Sequence, residues 1–133
     1  MGWEYWQTRE SVKQEAQKLH RSISEAQHLA ITTGCDIIFA FNPENYAVVR
    51  PPSDKCGPGE ELDIQQYSPD MTFTSEGLPG DIMRFEGGTG RFTEEYRRSL
   101  KNGSEILQIS IGNSIYEVKL EVSSTGELMP LNY

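Results

Sequence analysis

The sequence lacks a long apolar run, has few basic residues and contains only two cysteines and two histidines. No stretch approaches the roughly 20 consecutive apolar residues of a membrane-spanning helix, and no signal-peptide pattern opens the chain. Twelve Lys and Arg against 20 Asp and Glu give a net charge of -8, which repels a phosphate backbone. With 133 residues, the chain is expected to be one domain, 1–133, that does not bind nucleic acid.

The two cysteines show neither the spacing of a redox motif nor the neighbouring histidines of a zinc site. Cys56 lies in the Pro- and Gly-rich segment 51–59, which a covalent link to Cys35 would stabilise. A disulfide and two free thiols, with Cys35 buried and Cys56 exposed, both remain open. We favour the disulfide, and with it an oxidising compartment such as a periplasm or the cell exterior.

The strongest periodic signal is a stripe of apolar residues spaced three and four positions apart between residues 12 and 30. Gly34 follows the pattern and can adopt the left-handed conformation that closes a helix. The sequence therefore predicts an amphipathic helix over about 3–33 that packs through this stripe. The stripe consists of Val12, Ala16, Leu19, Ile23, Ala26 and Ala30.

Beyond Gly34 the period changes to two, which is typical of half-buried strands. The segment 42–45 with its Asn-Pro, and Gly112-Asn113, predict two hairpins, the second with a two-residue loop. The chain is therefore expected to be an α+β domain, with the helix packed on an antiparallel sheet body at about 36–129. The predicted strands are 36–41, 46–50, 71–75, 82–86, 105–111 and 114–122, and the main loops are 51–61, 76–80 and 87–104.

Three aromatic residues, Trp3, Tyr5 and Trp6, precede the apolar stripe and include both tryptophans of the chain. Rings with one apolar and one polar end concentrate at membrane interfaces, so the cluster is typical of the aromatic belt beside a transmembrane segment. The alternative is that these rings pack against the sheet. The first interpretation predicts an apolar helix of about 20 residues ahead of Trp3 in the natural protein.

Nearly the whole chain resembles the GspH/FimT family of type IV pilin-like minor pseudopilins. The resemblance runs from the helix segment 17–30 and Gly34 through the segment 82–85 (IMRF), with Gly90 and Thr93. It ends with the last two predicted strands and the terminal segment 124–128 (STGEL).

The resemblance implies a noncatalytic subunit, the minor pseudopilin of a type II secretion pseudopilus. It implies a long helix on a β-sandwich, single-pass anchoring in the bacterial inner membrane through a preceding helix, and a periplasmic domain that binds other pseudopilins or pilins. The aromatic end of the helix would face neighbouring helices in the filament, so Val12, which is nearer to that end, is expected to contribute less to the stability of the isolated domain than Leu19. Two alternatives are a FimT-like minor subunit of a type IV pilus and, from another class, a periplasmic ligand-binding domain or small enzyme that uses the loop 87–104.

Residues that could perform catalysis or bind a metal form no recognisable arrangement, so no catalytic residue, metal site or cofactor is predicted. His20 and His28 lie off the apolar stripe of the helix, where solvated positions are expected. An acidic loop could bind calcium but lacks the alternation of an EF-hand, so a solvated loop is the preferred interpretation. Its acidic residues are Asp54, Glu60, Glu61 and Asp63.

The loop 87–104 contains two further patterns. Its start, GGTG at 87–90, is similar to a phosphate-binding loop but lacks the GK[ST] ending and a following helix, so a wide turn is preferred. Four basic residues follow, interrupted by Glu94 and Glu95, and a charged surface loop without useful DNA binding is expected. The basic residues are Arg91, Arg97, Arg98 and Lys101.

Overall fold

The computed structural model describes residues 2–68, 70–76, 78–100 and 106–131 and begins with a long helix, α1, at Gly2–Thr33. Its 32 residues span about 48 Å at ~1.5 Å per residue. It ends at Gly34, which adopts a φ of 70° and donates its backbone N–H to the carbonyl of Ala30 (3.1 Å). The helix ends where the sequence predicts, because Gly tolerates this conformation without strain.

The first sheet contains four antiparallel strands in the order β3-β2-β1-β5. Inward side chains of β1 and β5, such as Phe39 and Phe85, are buried, and α1 contacts both of these strands. The sheet therefore presents one face to the core. The strands are β1 (Ile37–Phe41), β2 (Asn45–Arg50), β3 (Glu60–Gln66) and β5 (Ile82–Phe85).

The second sheet contains β4 (Thr72–Glu76), β6 (Ile106–Gly112) and β7 (Glu117–Ser123) in the order β4-β6-β7. All of its pairs are antiparallel, and α1 also packs on β6 and β7. Position 105, the predicted start of the sixth strand, lies outside the described residues. The α+β fold class predicted from the sequence, a long helix on antiparallel sheets, is confirmed.

The hairpin between β6 and β7 has a longer loop than predicted. Gly112 pairs with Glu117, so the loop covers residues 113–116, and the Asn113 side chain accepts hydrogen bonds from the backbone N–H groups of Ile115 and Tyr116 (2.9 and 3.0 Å). The prediction of a two-residue loop was wrong. The alternation in the sequence predicts one buried face for this hairpin, and an even shift of register leaves each residue on the same face of the sheet. The buried residues of that face are Leu107, Ile109, Ile111, Val118, Leu120 and Val122.

Two regular elements were predicted as loop. The strand β3 begins inside the predicted loop 51–61, and a short helix, α2 (Glu94–Ser99), lies inside the predicted loop 87–104. Nearly every side chain of β3 is exposed, so the strand lacks the apolar alternation that identifies a half-buried one. A signal for α2 was present, since Thr93 caps the helix by accepting from Tyr96 N–H (3.2 Å) and two acidic residues follow it.

Stacked aromatic rings join the two sheets. Phe41 of β1 and Phe73 of β4 stack with ring centroids 4.5 Å apart, and Tyr67 lies 6.2 Å from Phe73. A second group, around Phe92, connects β5 to α2, with centroid distances of 5.7 Å to Phe85 and 4.6 Å to Tyr96. The core is therefore continuous from one sheet through the other to the short helix.

A disulfide joins Cys35, directly after α1, to Cys56 in the loop that follows β2. The Cα atoms are 6.1 Å apart and the sequence separation is 21 residues. Of the two alternatives left open by the sequence, the structure contains the disulfide, and it links the end of the helix to the Pro-rich loop.

Candidate assembly surface

The apolar stripe of α1 is buried inside the domain. Its side chains are between 0 and 2% exposed, and they form part of the main hydrophobic cluster. Val12 is as buried as Leu19, so this end of the stripe packs within the domain and is not reserved for neighbouring helices, which argues against the expectation that Val12 contributes less to stability than Leu19. The stripe comprises Val12, Ala16, Leu19, Ile23, Ala26 and Ala30.

The aromatic end of α1 is exposed. Trp3 and Trp6 are 69% and 56% exposed and lie against one another with ring centroids 6.4 Å apart, and Tyr5 is also exposed. The alternative in which these rings pack against the sheet is therefore not observed. Within the described part of the chain, no helix combines the length and the apolar character needed to cross a membrane.

Beyond these aromatic residues, polar side chains of the helix contact the sheet body. The Arg9 guanidinium lies over the Tyr116 ring, 5.4 Å from its centroid. Glu15 is 6% exposed, and its carboxylate accepts two hydrogen bonds from Ser68. One oxygen accepts from the backbone N–H (3.1 Å) and the other accepts from the hydroxyl (2.6 Å). Sequence reasoning missed this contact, because nothing in the local pattern distinguishes Glu15 from the solvated side chains around it.

The other end of α1 is bound to two loops. The side-chain amide of Gln27 donates to the carbonyl oxygens of Gly90 (3.2 Å) and Gly126, so it connects the turn after β5 to the turn after β7. Gly88 N–H donates to the carbonyl of Ala30 (2.9 Å). Together with the nearby disulfide, these contacts fix the last turns of the helix on the body.

The glycine-rich turn 87–90 is not a phosphate cradle. Gly87 N–H donates to the Asp36 carboxylate (2.9 Å), and Gly88 and Gly90 N–H groups donate to backbone carbonyls (2.9 Å each). These donors are already satisfied, one of them by an anion. A Cβ on Gly87 would lie 2.2 Å from the carbonyl oxygen of Gly34, so glycine is present here for close packing against the helix end.

Three of the tyrosines that the structure describes are buried, and none of these three is placed as an acid or base at neutral pH. Burial raises the pKa of Tyr67 and of Tyr96. Burial also raises the pKa of Tyr46, although its hydrogen bond with Ser22 (3.1 Å) opposes the rise. These hydroxyls therefore stay protonated, because a buried phenolate would be poorly solvated.

The histidines and acidic residues singled out in the sequence do not converge. His28 is exposed, and His20 donates from Nε2 to the carbonyl of Met129 (2.9 Å). Asp54 lies in a turn and the other three acidic residues lie on β3, where Glu60 forms an ion pair with Arg50 (3.1 Å). Within the described ranges, no group of three or more His, Cys, Asp or Glu side chains could hold a metal ion.

The basic segment lies on the surface at α2. Arg91, Arg97 and Arg98 are exposed, and Arg98 forms an ion pair with Glu94 one turn away. Lys101 lies outside the described residues. The nearby acidic side chains reduce the positive charge of this surface.

The fold is that of type IV pilins: a long N-terminal helix packed on antiparallel sheets. Two solved structures share it, both of the type IV minor pilin FimU from Pseudomonas aeruginosa. FimU in space group P21 is 13% identical, with a TM-score of 0.63 over 94% of this chain and 90% of that chain. FimU in space group P65 is 15% identical, with a TM-score of 0.57 over 89% of this chain and 92% of that chain.

No protein-family model matches the sequence, and no curated protein matches it. The narrower resemblance to the GspH/FimT family therefore stays a prediction. What is common to the sequence resemblance and the two FimU structures is the pilin-like architecture.

Proposed function

We propose that this chain is a noncatalytic subunit that assembles with other pilin-like subunits into a filament of the type IV pilus or pseudopilus kind. The observation that carries this proposal is the division of α1. From Val12 onward, one face of the helix is buried in the domain, whereas Trp3 and Trp6 in its first turns are exposed. Indole rings have one apolar and one polar end and concentrate at membrane interfaces and in contacts between subunits, so two of them exposed at one helix end favour such a role.

In this proposal an apolar segment of about 20 residues precedes Trp3 in the natural protein and continues α1 into the bacterial inner membrane. Trp3, Tyr5 and Trp6 then lie at the interface, and the domain lies in the periplasm. The disulfide between Cys35 and Cys56 supports this placement, because such bonds persist in oxidising compartments.

Two kinds of filament fit. The sequence resemblance to the GspH/FimT family favours a minor pseudopilin of a type II secretion pseudopilus, which supports protein export. The fold likeness to FimU favours a second candidate, a minor subunit of a type IV pilus. Both candidates use the same anchored helix and the same packing between domains, so the phenotype of a deletion separates them.

The experiment is a deletion of the gene in its own bacterium, complemented with the natural open reading frame. Loss of secreted proteins from the medium indicates the secretion role, and loss of surface pili by electron microscopy indicates the pilus role. Affinity purification of the tagged, anchored protein should recover pilin-like subunits in either case. If no apolar segment precedes Trp3 in the gene, or if neither phenotype nor any pilin-like partner is found, the proposal is wrong.

A matched pair of variants tests the aromatic end. Trp6 and Ile115 are both 56% exposed, but Ile115 lies in the loop between β6 and β7. We expect Trp6→Ser to reduce recovery of partner subunits, and Ile115→Ser to leave it unchanged. Equal effects would show that general surface hydrophobicity, and not the helix end, drives assembly.

A further inference from the structure

The strand β3 forms an open edge of the first sheet. It pairs with β2 alone among the described elements, and six of its seven side chains are exposed. Open edges are usually protected by charged residues, especially Lys, by Pro, by a bulge or by a covering element, because their free N–H and C=O groups can pair with another strand. The sequence of β3, EELDIQQ, contains neither Lys nor Pro; its protection consists of three acidic residues and a bulge, and acidic residues disfavour an acidic strand but not a basic one.

A bulge in β3 determines which residues face each side. Val48 pairs with Asp63 and Val49 pairs with Glu61, so Leu62 is the extra residue between them. Leu62 and Asp63 line a groove between β3 and α1. Among the described residues, the groove is lined by two acidic groups, Glu25 and Asp63, and by no basic one. Its apolar lining includes Ala26, Leu29, Val48 and Leu62.

The opposite face of the same sheet carries an apolar row that ends at the open edge. Ile82, Ala40, Ala47 and Ile64 are successive cross-strand partners from β5 to β3. Ala40 lies between the inward-facing Phe39 and Phe41, so it points away from them, while Ala47 is 7% exposed and Ile82, at the far end of the row, packs partly against the core cluster. Its last member, Ile64, is 47% exposed.

We propose that β3 is a docking edge for an extended segment of a neighbouring subunit in which basic and aliphatic residues alternate. The added strand hydrogen-bonds to the free edge, places Lys or Arg side chains toward the groove that contains Glu25 and Asp63, and continues the apolar row beyond Ile64. The identification of the partner as a neighbouring subunit rests on the proposed function. The prediction that the edge binds a strand of alternating basic and aliphatic residues does not rest on the proposed function.

Charge decides between this partner and a second copy of the chain. Asp63 accepts hydrogen bonds from the Gln65 amide (3.2 and 3.3 Å), but neither Glu25 nor Asp63 forms an ion pair within the described residues. An antiparallel pairing of two copies about the middle of β3 would place Asp63 opposite Asp63. Like charges directly opposite one another destabilise a pair of strands, and each chain carries a net charge of -8.

The probe is a fluorescent seven-residue peptide of alternating Lys and Val, matched to the length of β3. Two control peptides isolate the two parts of the proposal: one replaces Lys with Glu, and the other keeps Lys but carries N-methyl groups on alternate backbone amides. We expect fluorescence anisotropy to detect binding of the first peptide only. Hydrogen exchange should show new protection in 60–66.

Substitutions in the protein locate the charge contribution. Glu25→Gln with Asp63→Asn should weaken binding by about 2- to 20-fold at low salt, the range for two exposed ion pairs. The control is Glu95→Gln with Glu117→Gln, two exposed carboxylates on α2 and β7, which should have no effect. Added salt should reduce the difference between the two variants.

Several results would overturn the proposal. Equal binding of the N-methylated peptide would mean electrostatic adsorption without strand addition, and protection elsewhere would mean another site. A concentration-dependent dimer disrupted by Ile64→Lys would assign the edge to a second copy. If the peptide does not bind but pilin-like subunits still co-purify with the anchored protein, the docking edge fails while the proposed function stands.

Discussion

The two ends of α1 differ in almost every contact they make. At its last turns, Gln27 and Ala30 hydrogen-bond to loops of the body, and the disulfide at Cys35 follows directly. At its first turns, Trp3 and Trp6 are exposed and stack on one another. One helix therefore serves both as the central core element of the domain and as an arm that extends beyond it, and the boundary lies between Trp6 and Val12.

The largest expected effect concerns the packed part of the helix. Leu19→Ala should lower the free energy of unfolding by about 2–5 kcal/mol, because it opens a cavity in the core. Val12→Ala should cost about 2 kcal/mol, since it removes two buried methyl groups. Urea denaturation followed by circular dichroism measures both. A neutral Val12→Ala would move the boundary of the packed region past Val12, toward Leu19.

The next largest effect tests the fixed end of α1. Replacing both cysteines, Cys35→Ser with Cys56→Ser, should lower the free energy of unfolding by about 3 kcal/mol, because the unfolded chain gains the freedom that the closed loop denies it. Intact mass after alkylation in denaturant without reductant verifies the bond in the parent protein. Addition of two alkyl groups would contradict the disulfide.

Two glycines offer a smaller, matched comparison near the same end. Gly88 and Gly126 adopt φ values of 93° and 97°, so Ala at either position is strained by about 1–2 kcal/mol. A Cβ at Gly126 would lie 2.6 Å from Phe92 N, whereas at Gly88 it would meet nothing within 4 Å. Gly126→Ala should therefore be more destabilising than Gly88→Ala. The measurement is the melting temperature of each variant. Equal decreases would mean that the turn at 126 can move away from Phe92 without loss of stability.

The smallest effect concerns the exposed end. Trp3→Ser with Trp6→Ser should change the free energy of unfolding by no more than about 0.5 kcal/mol, because exposed positions contribute little to stability. Both tryptophans of the chain lie here, so the emission maximum of the parent protein should shift little when urea unfolds it, although circular dichroism reports full unfolding. A large red shift would mean that the rings are buried in the folded protein.

The sequence predicted best the elements that have one face buried in the core and the other exposed to solvent. The stripe of α1 and the facing of β6 against β7 could be predicted because both elements alternate core and solvent positions with a fixed period. The strand β3 could not, because an edge strand exposed on both faces carries no such alternation. The contact of Glu15 with Ser68 depends on residues 53 positions apart, so no local pattern contains it.

The exposed end of α1 could likewise be predicted only in part. The aromatic cluster at positions 3–6 was visible as unusual composition, but whether it packs on the body or projects from it depends on the length of the sheets beneath the helix. That length is set by strands whose ends depend on tertiary contacts, as the four-residue loop at 113–116 illustrates.

The lengthwise packing of α1 also determines how the domain would carry a mechanical load. A pull on Trp3 along the helix axis acts on the contacts of the buried stripe in shear, so they share the force in parallel and do not separate one after another. The disulfide between Cys35 and Cys56 keeps the segment between these residues from being stretched, because the force passes through the covalent bond and not through that segment. The domain is therefore built to resist extraction by its N-terminal end more strongly than peeling away from its side.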